Sequence, residues 1–273
     1  MIEECLKNVR EKTPLVHNIT NYVTVNDCAN ILLACGGSPI MADDEKEVEE
    51  ITTICGGLNI NIGTLNTRTI QSMIKAGRKA NELGHPVILD PVGAGASQLR
   101  TQTALKLLDE IQFTVIKGNI SEIKTLALGS GKTQGVDASI DDVVTKENLN
   151  KTIMFAKELS KKTKAIIAIT GAIDIVCDSQ DAYVIENGTA MLSRITGTGC
   201  MLSAMTAAYL VANPENLLQA TACSVMAMGI AGEVAEARLT NVDGNATFRN
   251  YVIDAIYQMD ENTLKDKAKY EKC

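Results

Sequence analysis

The chain has 273 residues, 45% hydrophobic and 22% charged, the composition of a globular protein with enough length for a sizeable core in one large domain or two smaller ones. A net charge of −7 and a pI near 5.0 exclude a basic nucleic-acid-binding surface, so an anionic ligand has to be held by helix N-termini, a few cations and metal. With 3% aromatics and no Trp, the core is expected to be built from small side chains that let layers approach closely.

The eight cysteines, Cys5, Cys28, Cys35, Cys55, Cys177, Cys200, Cys223 and Cys273, include no C-x-x-C pair. His17 and His85 are the only histidines, which argues against structural zinc, and several of the cysteines fall within apolar stretches, which suits reduced thiols in a cytoplasmic protein. The opening Met1-Ile2-Glu3-Glu4-Cys5-Leu6-Lys7 reads as the start of an amphipathic helix, not as a signal peptide.

Residues 13–23, rich in Asn and Thr, read as a polar loop able to recognise a small ligand. A helix is expected over 25–34, stopped by Gly36-Gly37, then a short strand over 38–41. The acidic segment 43–50 reads as the solvated face of the next helix. Residues 58–63 alternate as a strand does, and 66–83 form a long helix ending at Gly84. The apolar run 86–91 delivers Asp90 to the loop 92–97, and a carboxylate at the C-terminal end of a buried parallel strand is where open α/β sheets keep their ligands. Gly93-x-Gly95-x-x-Gln98 lacks the third glycine of a dinucleotide fingerprint.

A strand over 113–116 leads into Lys117-Gly118-Asn119-Ile120-Ser121-Glu122. One helical turn separates Asn119 from Glu122, so the pair either faces Mg²⁺ and phosphates or forms an N-cap with its capping box. Residues 129–133, Gly-Ser-Gly-Lys-Thr, are not a phosphate-binding P-loop, because the first glycine that motif requires falls on Leu126; a surface loop is expected. A helix over 146–162 precedes a buried strand over 165–171 that ends in Thr170-Gly171, and 173–177 with 182–186 read as a more exposed antiparallel pair.

Arg194-Ile195-Thr196-Gly197-Thr198-Gly199-Cys200 then runs straight into uncharged residues 201–211. Two glycines permit a tight turn and close approach to a ligand before a helix whose first amides have no intrahelical partner, a ready site for phosphate, with Cys200 in the first turn as a candidate for proton transfer. The alternative is a plain glycine-rich connection with a buried thiol. The uncharged runs 195–214 and 216–232 carry scattered Gly, Ser, Thr, Asn and Gln and are broken by Pro214, so they read as core helices, not membrane spans. Three or more helices are expected from there to the C-terminus. Strands alternating with helices throughout, without a linker or repeat, indicate a single domain over 1–273 with a mostly parallel central sheet between helical layers.

By the sheet rule, Asp90, the Lys117–Asn119–Glu122 group, Thr170-Gly171 and Gly197 to Cys200 fall at strand ends. They supply a carboxylate, a cation, a hydroxyl and an anion site, the parts of a phosphoryl-transfer centre. The segments TPLVHNITNYV, SPIMA, NIGTL, DPVGAGAS, IKGN-x-x-E, ITG and TGTGC, in this order from about Thr13 to Arg249, resemble the hydroxyethylthiazole kinases of thiamine salvage, within the ribokinase-like superfamily. The resemblance implies transfer of the ATP γ-phosphoryl group to the primary alcohol of 4-methyl-5-(2-hydroxyethyl)thiazole with Mg²⁺, by a homotrimer with pockets at subunit contacts. It implies a thiazole pocket at Asn21, Val23, Met41 and Gly63, and ATP contacts at Lys117 and Thr170 with Asn119 and Gly171 beside them. Asp90 and Glu122 match positions near Mg²⁺ and phosphates, and Gly197 matches a substrate contact beside the anion hole formed with Thr198 and Gly199. Cys200 matches the position that most of the superfamily fills with an aspartate base. Lys117 stands where relatives often have Arg, which keeps the charge and loses the bidentate fork, and the acidic segment after Met41 also departs from many relatives. Other readings are a hydroxymethylpyrimidine-type kinase, a hydrate repair lyase of the same fold, or a non-catalytic thiazole or nucleotide sensor.

Overall fold

A computed structural model describes residues 2–129 and 143–273 of the chain. The segment 129–133 therefore lies, from Ser130 onward, outside the described residues. In chain order the elements are α1 (Ile2–Lys12), β1 (Leu15–Ile19), α2 (Val25–Cys35), β2 (Ser38–Met41), α3 (Val48–Ile54), β3 (Gly57–Asn61), α4 (Thr67–Leu83), β4 (Val87–Asp90), α5 (Gln98–Glu110), β5 (Val115–Asn119), α6 (Ile120–Gly129), α7 (Leu149–Thr163) and β6 (Ile166–Thr170). A hairpin, β7 (Asp174–Cys177) and β8 (Ala182–Ile185), and a short 3₁₀ turn at Ala190–Arg194 lead to α8 (Thr198–Ala212), α9 (Leu217–Arg238), α10 (Asn245–Gln258), α11 (Glu261–Lys267) and β9 (Tyr270–Lys272).

All nine strands form one sheet in the order β2-β1-β3-β4-β5-β6-β7-β8-β9. From β2 to β6 every neighbouring pair is parallel, and from β6 to β9 every pair is antiparallel. Helices cover both faces. The sheet face toward α8 and α9 contributes Val16, Ile88, Val115 and Ala168 to one apolar cluster, and the opposite face contributes Ile19, Leu58, Ile60, Leu89 and Ile116 to the other. Alternation along each strand thus feeds two cores at once, the pattern of a sheet buried on both sides.

The expected uncharged helices are the central helices of the first core. α8 and α9 are buried around most of their circumference, and although α9 is long and apolar enough to cross a membrane, 72% of its most apolar 18-residue window is buried inside the protein. Small side chains suit that position because Ala-rich helices can lie close to sheet and neighbour alike. Seven of the eight cysteines are buried, and none of the eight is in a disulfide.

Three expectations need correction. Residues 13–23 contain the interior strand β1, which their polar letters disguise: buried His17 places Nδ1 2.9 Å from Thr52 Oγ1 and Nε2 2.9 Å from the Ala42 carbonyl, while Asn18 accepts from Asn59 Nδ2 at 3.0 Å. Polar side chains with complete partners can occupy a core strand. The β7–β8 pair is buried, not more exposed, because α9 packs on it and its residues feed both cores. Finally, the chain ends in a strand after its last helix: Tyr270–Lys272 covers the edge of β8, a three-residue exposed strip with no alternation to reveal it.

Candidate active site

Strand order reverses at β1, which pairs with β2 on one side and β3 on the other. In open α/β sheets the crevice beyond the carboxyl ends of the strands at such a reversal is where ligands bind. Here α8 packs on β1, β3 and β4 and begins over that crevice. Its N-cap is Gly197 at φ 91°, with no side-chain cap. A Cβ there would lie 2.5 Å from Thr24 Cγ2, so both the left-handed backbone and the packing call for glycine. The opening amides of α8 are left for solvent or an anion.

Cys200, the third residue of α8, is 8% exposed. Two amide groups converge on its sulfur: Asn21 Nδ2 and Asn61 Nδ2 each donate to Sγ at 3.2 Å. Neither amide is at liberty to turn. Asn61 Oδ1 accepts from Gly63 N at 2.9 Å and from Asn21 Nδ2 at 3.0 Å, and Asn21 Oδ1 accepts from Thr24 N and Oγ1 at 3.1 Å each. With both carbonyl oxygens fixed, both NH₂ groups must face the sulfur side.

Asn61 Nδ2 also donates to Asp90 Oδ2 at 2.9 Å, its partner across the β3–β4 pairing, and Ser203 Oγ donates to the same oxygen at 2.7 Å. Lys117 Nζ lies 3.4 Å from Asp90 Oδ2 and donates to the Gly199 carbonyl at 3.1 Å, so the cation reaches the first turn of α8 directly. Both Lys117 and Asp90 are buried. Burial works to lower the Lys117 pKa, but Asp90, and after it Cys200 and Glu122, outweigh that and hold it above its ordinary value, so the ammonium keeps its charge.

Both arrangements considered for Glu122 concern one side chain, and the capping box is present: Oε2 accepts from Asn119 N at 2.9 Å while Asn119 Oδ1 accepts from Glu122 N at 2.9 Å. Glu122 Oε1 additionally takes Gly93 N at 2.8 Å, tying α6 to the loop after β4. Burial pushes this carboxyl up, against the pull of those two backbone amides.

Thr170 lies opposite Asn119 in the β5–β6 pairing, and the next amide, Gly171 N, donates to Asp174 Oδ1 at 2.8 Å. Met41 ends β2 opposite Asn18 and is partly buried, whereas Val23 is 56% exposed beside Tyr22 at 77%. The structure therefore joins Asn21, Gly63, Asp90, Lys117, Gly199 and Cys200 into one hydrogen-bonded network, and sets Met41, Thr170 and Gly171 at neighbouring strand ends and Val23 in the turn before α2, outside it. A cavity of about 450 Å³ lined by Asp181, Tyr183, Glu215 and Lys272 lies elsewhere and contains none of these groups.

The family model described as the hydroxyethylthiazole kinase family matches residues 6–262. The chain belongs to the hydroxyethylthiazole kinase family. It is 66% identical over 271 residues to hydroxyethylthiazole kinase of Clostridium acetobutylicum, covering 99% of both chains. The solved structure of hydroxyethylthiazole kinase protein from Pyrococcus horikoshii superposes with a TM-score of 0.88 at 38% identity, covering 100% of this chain and 98% of that one. A ribokinase-like superfamily protein from Enterococcus faecalis shares the fold at a TM-score of 0.61 and 11% identity, covering 94% and 89%. The chain is thus an enzyme of a kinase family with the ribokinase-like α/β fold.

Two members of the network were missed in the sequence. Asn61 sits with Asn59 at alternate positions of a wholly buried strand, and amides repeating on one face of a core strand signal a polar partner behind them. Ser203 follows Cys200 by three residues, the spacing that stacks side chains along one helix face.

Proposed function

We propose that the chain transfers the γ-phosphoryl group of ATP to the primary alcohol of 4-methyl-5-(2-hydroxyethyl)thiazole, in the cytoplasm and with Mg²⁺. The observation that supports it best is the start of α8, where an uncapped turn, a buried ammonium on Gly199 and a sulfur held by two amides meet at the sheet's reversal point. Amides of Thr198, Gly199 and Cys200 would accept the charge on the transferring group, and Lys117 would neutralise part of it. The alcohol would sit against Cys200, whose sulfur, in the thiolate form that the two amides can hydrogen-bond, orients the hydroxyl and receives its proton. In a loose phosphoryl-transfer transition state that proton leaves late, so a modest base in a fixed position is sufficient.

Asp90 and Glu122 are hard oxygen donors: the three groups bound to Asp90 all address Oδ2, and Glu122, whose two oxygens already accept Gly93 N and Asn119 N, would reach the ion through bound water. Among the described residues no cluster of three His, Cys, Asp or Glu side chains forms a metal cage. That donor set fits Mg²⁺, which keeps several waters and is held by one or two carboxylates with substrate phosphates. Bound there, the ion would neutralise phosphate charge. Exposed Tyr22 and Val23, next to Asn21, support a subunit contact at the thiazole side in a homotrimer.

The reading is tested by ADP release with and without the thiazole alcohol, with mass spectrometry of the product. Alcohol-dependent ADP release with formation of the thiazole phosphate is expected. Turnover indifferent to the alcohol, or faster with a hydroxymethylpyrimidine, would replace it.

A further inference from the structure

One cation beside the site takes no part in the roles above. Arg100, in the first turn of α5, turns back across the crevice: its Nη2 donates to the Gly63 carbonyl at 2.6 Å and its Nη1 to the Val92 carbonyl at 3.3 Å. Gly63 belongs to the loop after β3, and Val92 lies two residues past Asp90 in the loop after β4. The two loops are therefore bridged by one planar guanidinium, a fork that lysine cannot reproduce.

The surroundings are shaped for it. Gly63 is held on both sides, its N–H by Asn61 Oδ1 and its carbonyl by Arg100. Gly93 has φ 74°, and a Cβ there would overlap Arg100 Nη1, so the first glycine after Val92 clears the path of the guanidinium. Gly93 N in turn is fixed by Glu122. Bonds thus run without a break from Cys200 through Asn61, Gly63, Arg100 and the Val92–Gly93 peptide to Glu122, linking the acceptor side to the phosphate side.

We propose that Arg100 is a positioning residue that locks the acceptor loop at Gly63 to the phosphate-side loop at Asp90 to Gly93. This deepens the function proposed above and rests on it for the identity of the two substrates. Transfer between two bound molecules depends on their mutual placement, and a misplacement of about 1 Å can cost roughly 10²-fold in rate.

The test compares wild type, Arg100→Ala and Arg100→Lys in steady-state kinetics with each substrate varied, together with hydrogen exchange of the folded proteins read by mass spectrometry. Arg100→Ala should raise the KM for the alcohol roughly tenfold and lower kcat by about 10²-fold, with the KM for ATP little changed. Added guanidinium ion should restore part of the rate to the alanine variant alone, and the lysine variant should fall between the two. Peptides covering Gly63 and Val92–Ala94 should exchange faster together, with those of α9 unaltered. A folded alanine variant with the wild-type KM for the alcohol and unchanged exchange in both loops overturns the proposal. Should that variant not fold, the lysine variant decides by the same two measurements. A wild-type enzyme inactive on the thiazole alcohol counts against the substrate assignment, and the exchange of the two loops then judges the lock by itself.

Discussion

Two helices begin at the carboxyl-terminal edge of the sheet, beyond its interior strands, and begin differently. α6 opens on Asn119 and Glu122, which satisfy each other's backbone amides, and Glu122 spends its second oxygen on Gly93. α8 opens on Gly197 without a side-chain cap, and around its first turn stand a buried ammonium and a sulfur fixed by two amides. A helix start closed by its own side chains is scaffold, since its orphan donors are spent. One left open, with charge assembled beside it, has donors to give an anion. The contrast separates the part of the edge that holds shape from the part available for chemistry.

Closing the open start should have the largest effect. A Cβ on Gly199 would lie 3.2 Å from Lys117 Nζ, so Gly199→Val pushes a branched side chain against the ammonium and across the opening. Turnover should fall more than about 10³-fold, beyond the loss expected from a single anion-stabilising donor. Cys200→Ala leaves the opening intact and should lose less, about 10²-fold, while Cys200→Asp should stay above the alanine variant. Rapid-quench measurement of the chemical step orders the three. A Cys200→Ala enzyme as inactive as Gly199→Val would mean that the thiol, not the open turn, dominates.

Asp90→Asn comes next. Neutralising Asp90 leaves Lys117 buried without its counter-charge, and breaking a buried pair from one side costs about 3–5 kcal/mol. The variant should lose both turnover and melting temperature. Adding Lys117→Met should restore much of the stability and none of the activity. If the single variant melts like wild type, the pair is not the anchor of the open start.

How far this contrast was legible in the sequence depends on which groups supply the bonds. Glycine in Gly197-Thr198-Gly199, Asp90 at a strand end, and the Asn119/Glu122 spacing each announce a local geometry, and each is where the chain order placed it. The parallel strands β2 to β6 and the core helices α8 and α9 were legible for the same reason, since hydrophobic pattern and turn residues are local signals. β1 was not, because His17 and Asn18 owe their burial to Thr52, Ala42 and Asn59, partners 25 to 41 residues away. Asn61 was hidden likewise: its role consists of contacts with Asn21, Asp90 and Cys200, which only the folded sheet brings together.

The closed start sharpens the contrast from its other side. Glu122→Gln keeps the side chain's shape but leaves one acceptor oxygen for two backbone amides, so its NH₂ group meets one of those N–H donors, and it should cost about 1–3 kcal/mol of stability. Turnover should fall much less than in Asp90→Asn. Chemical denaturation and steady-state rates measured on the same preparations decide it, and a rate loss as deep as that of Asp90→Asn would make Glu122 a direct ligand of the ion and not chiefly a cap.

The smallest expected effect concerns a second closed turn on this edge, where Asp174 Oδ1 accepts from Gly171 N beside Thr170. Burial pushes the Asp174 carboxyl up from 3.8 to about 7, although the Gly171 amide and Lys117 pull the other way. Between those two values the folded protein keeps a proton that the unfolded chain has released, so stability falls as pH rises through the window and levels off above about 7. Asparagine can accept from the same amide without ever carrying the charge. Asp174→Asn should therefore be level with wild type near about pH 4, gain on it steadily up to about pH 7, and hold a constant advantage beyond that. Turnover at neutral pH should change little, because the turn closes on its own backbone and the open start of α8 is untouched. Melting temperatures of both proteins across this range provide the check: an asparagine variant that is less stable above pH 7, or a gap that does not vary with pH, would show that Asp174 keeps its charge in the fold and that this turn is held by the ion and not by the hydrogen bond.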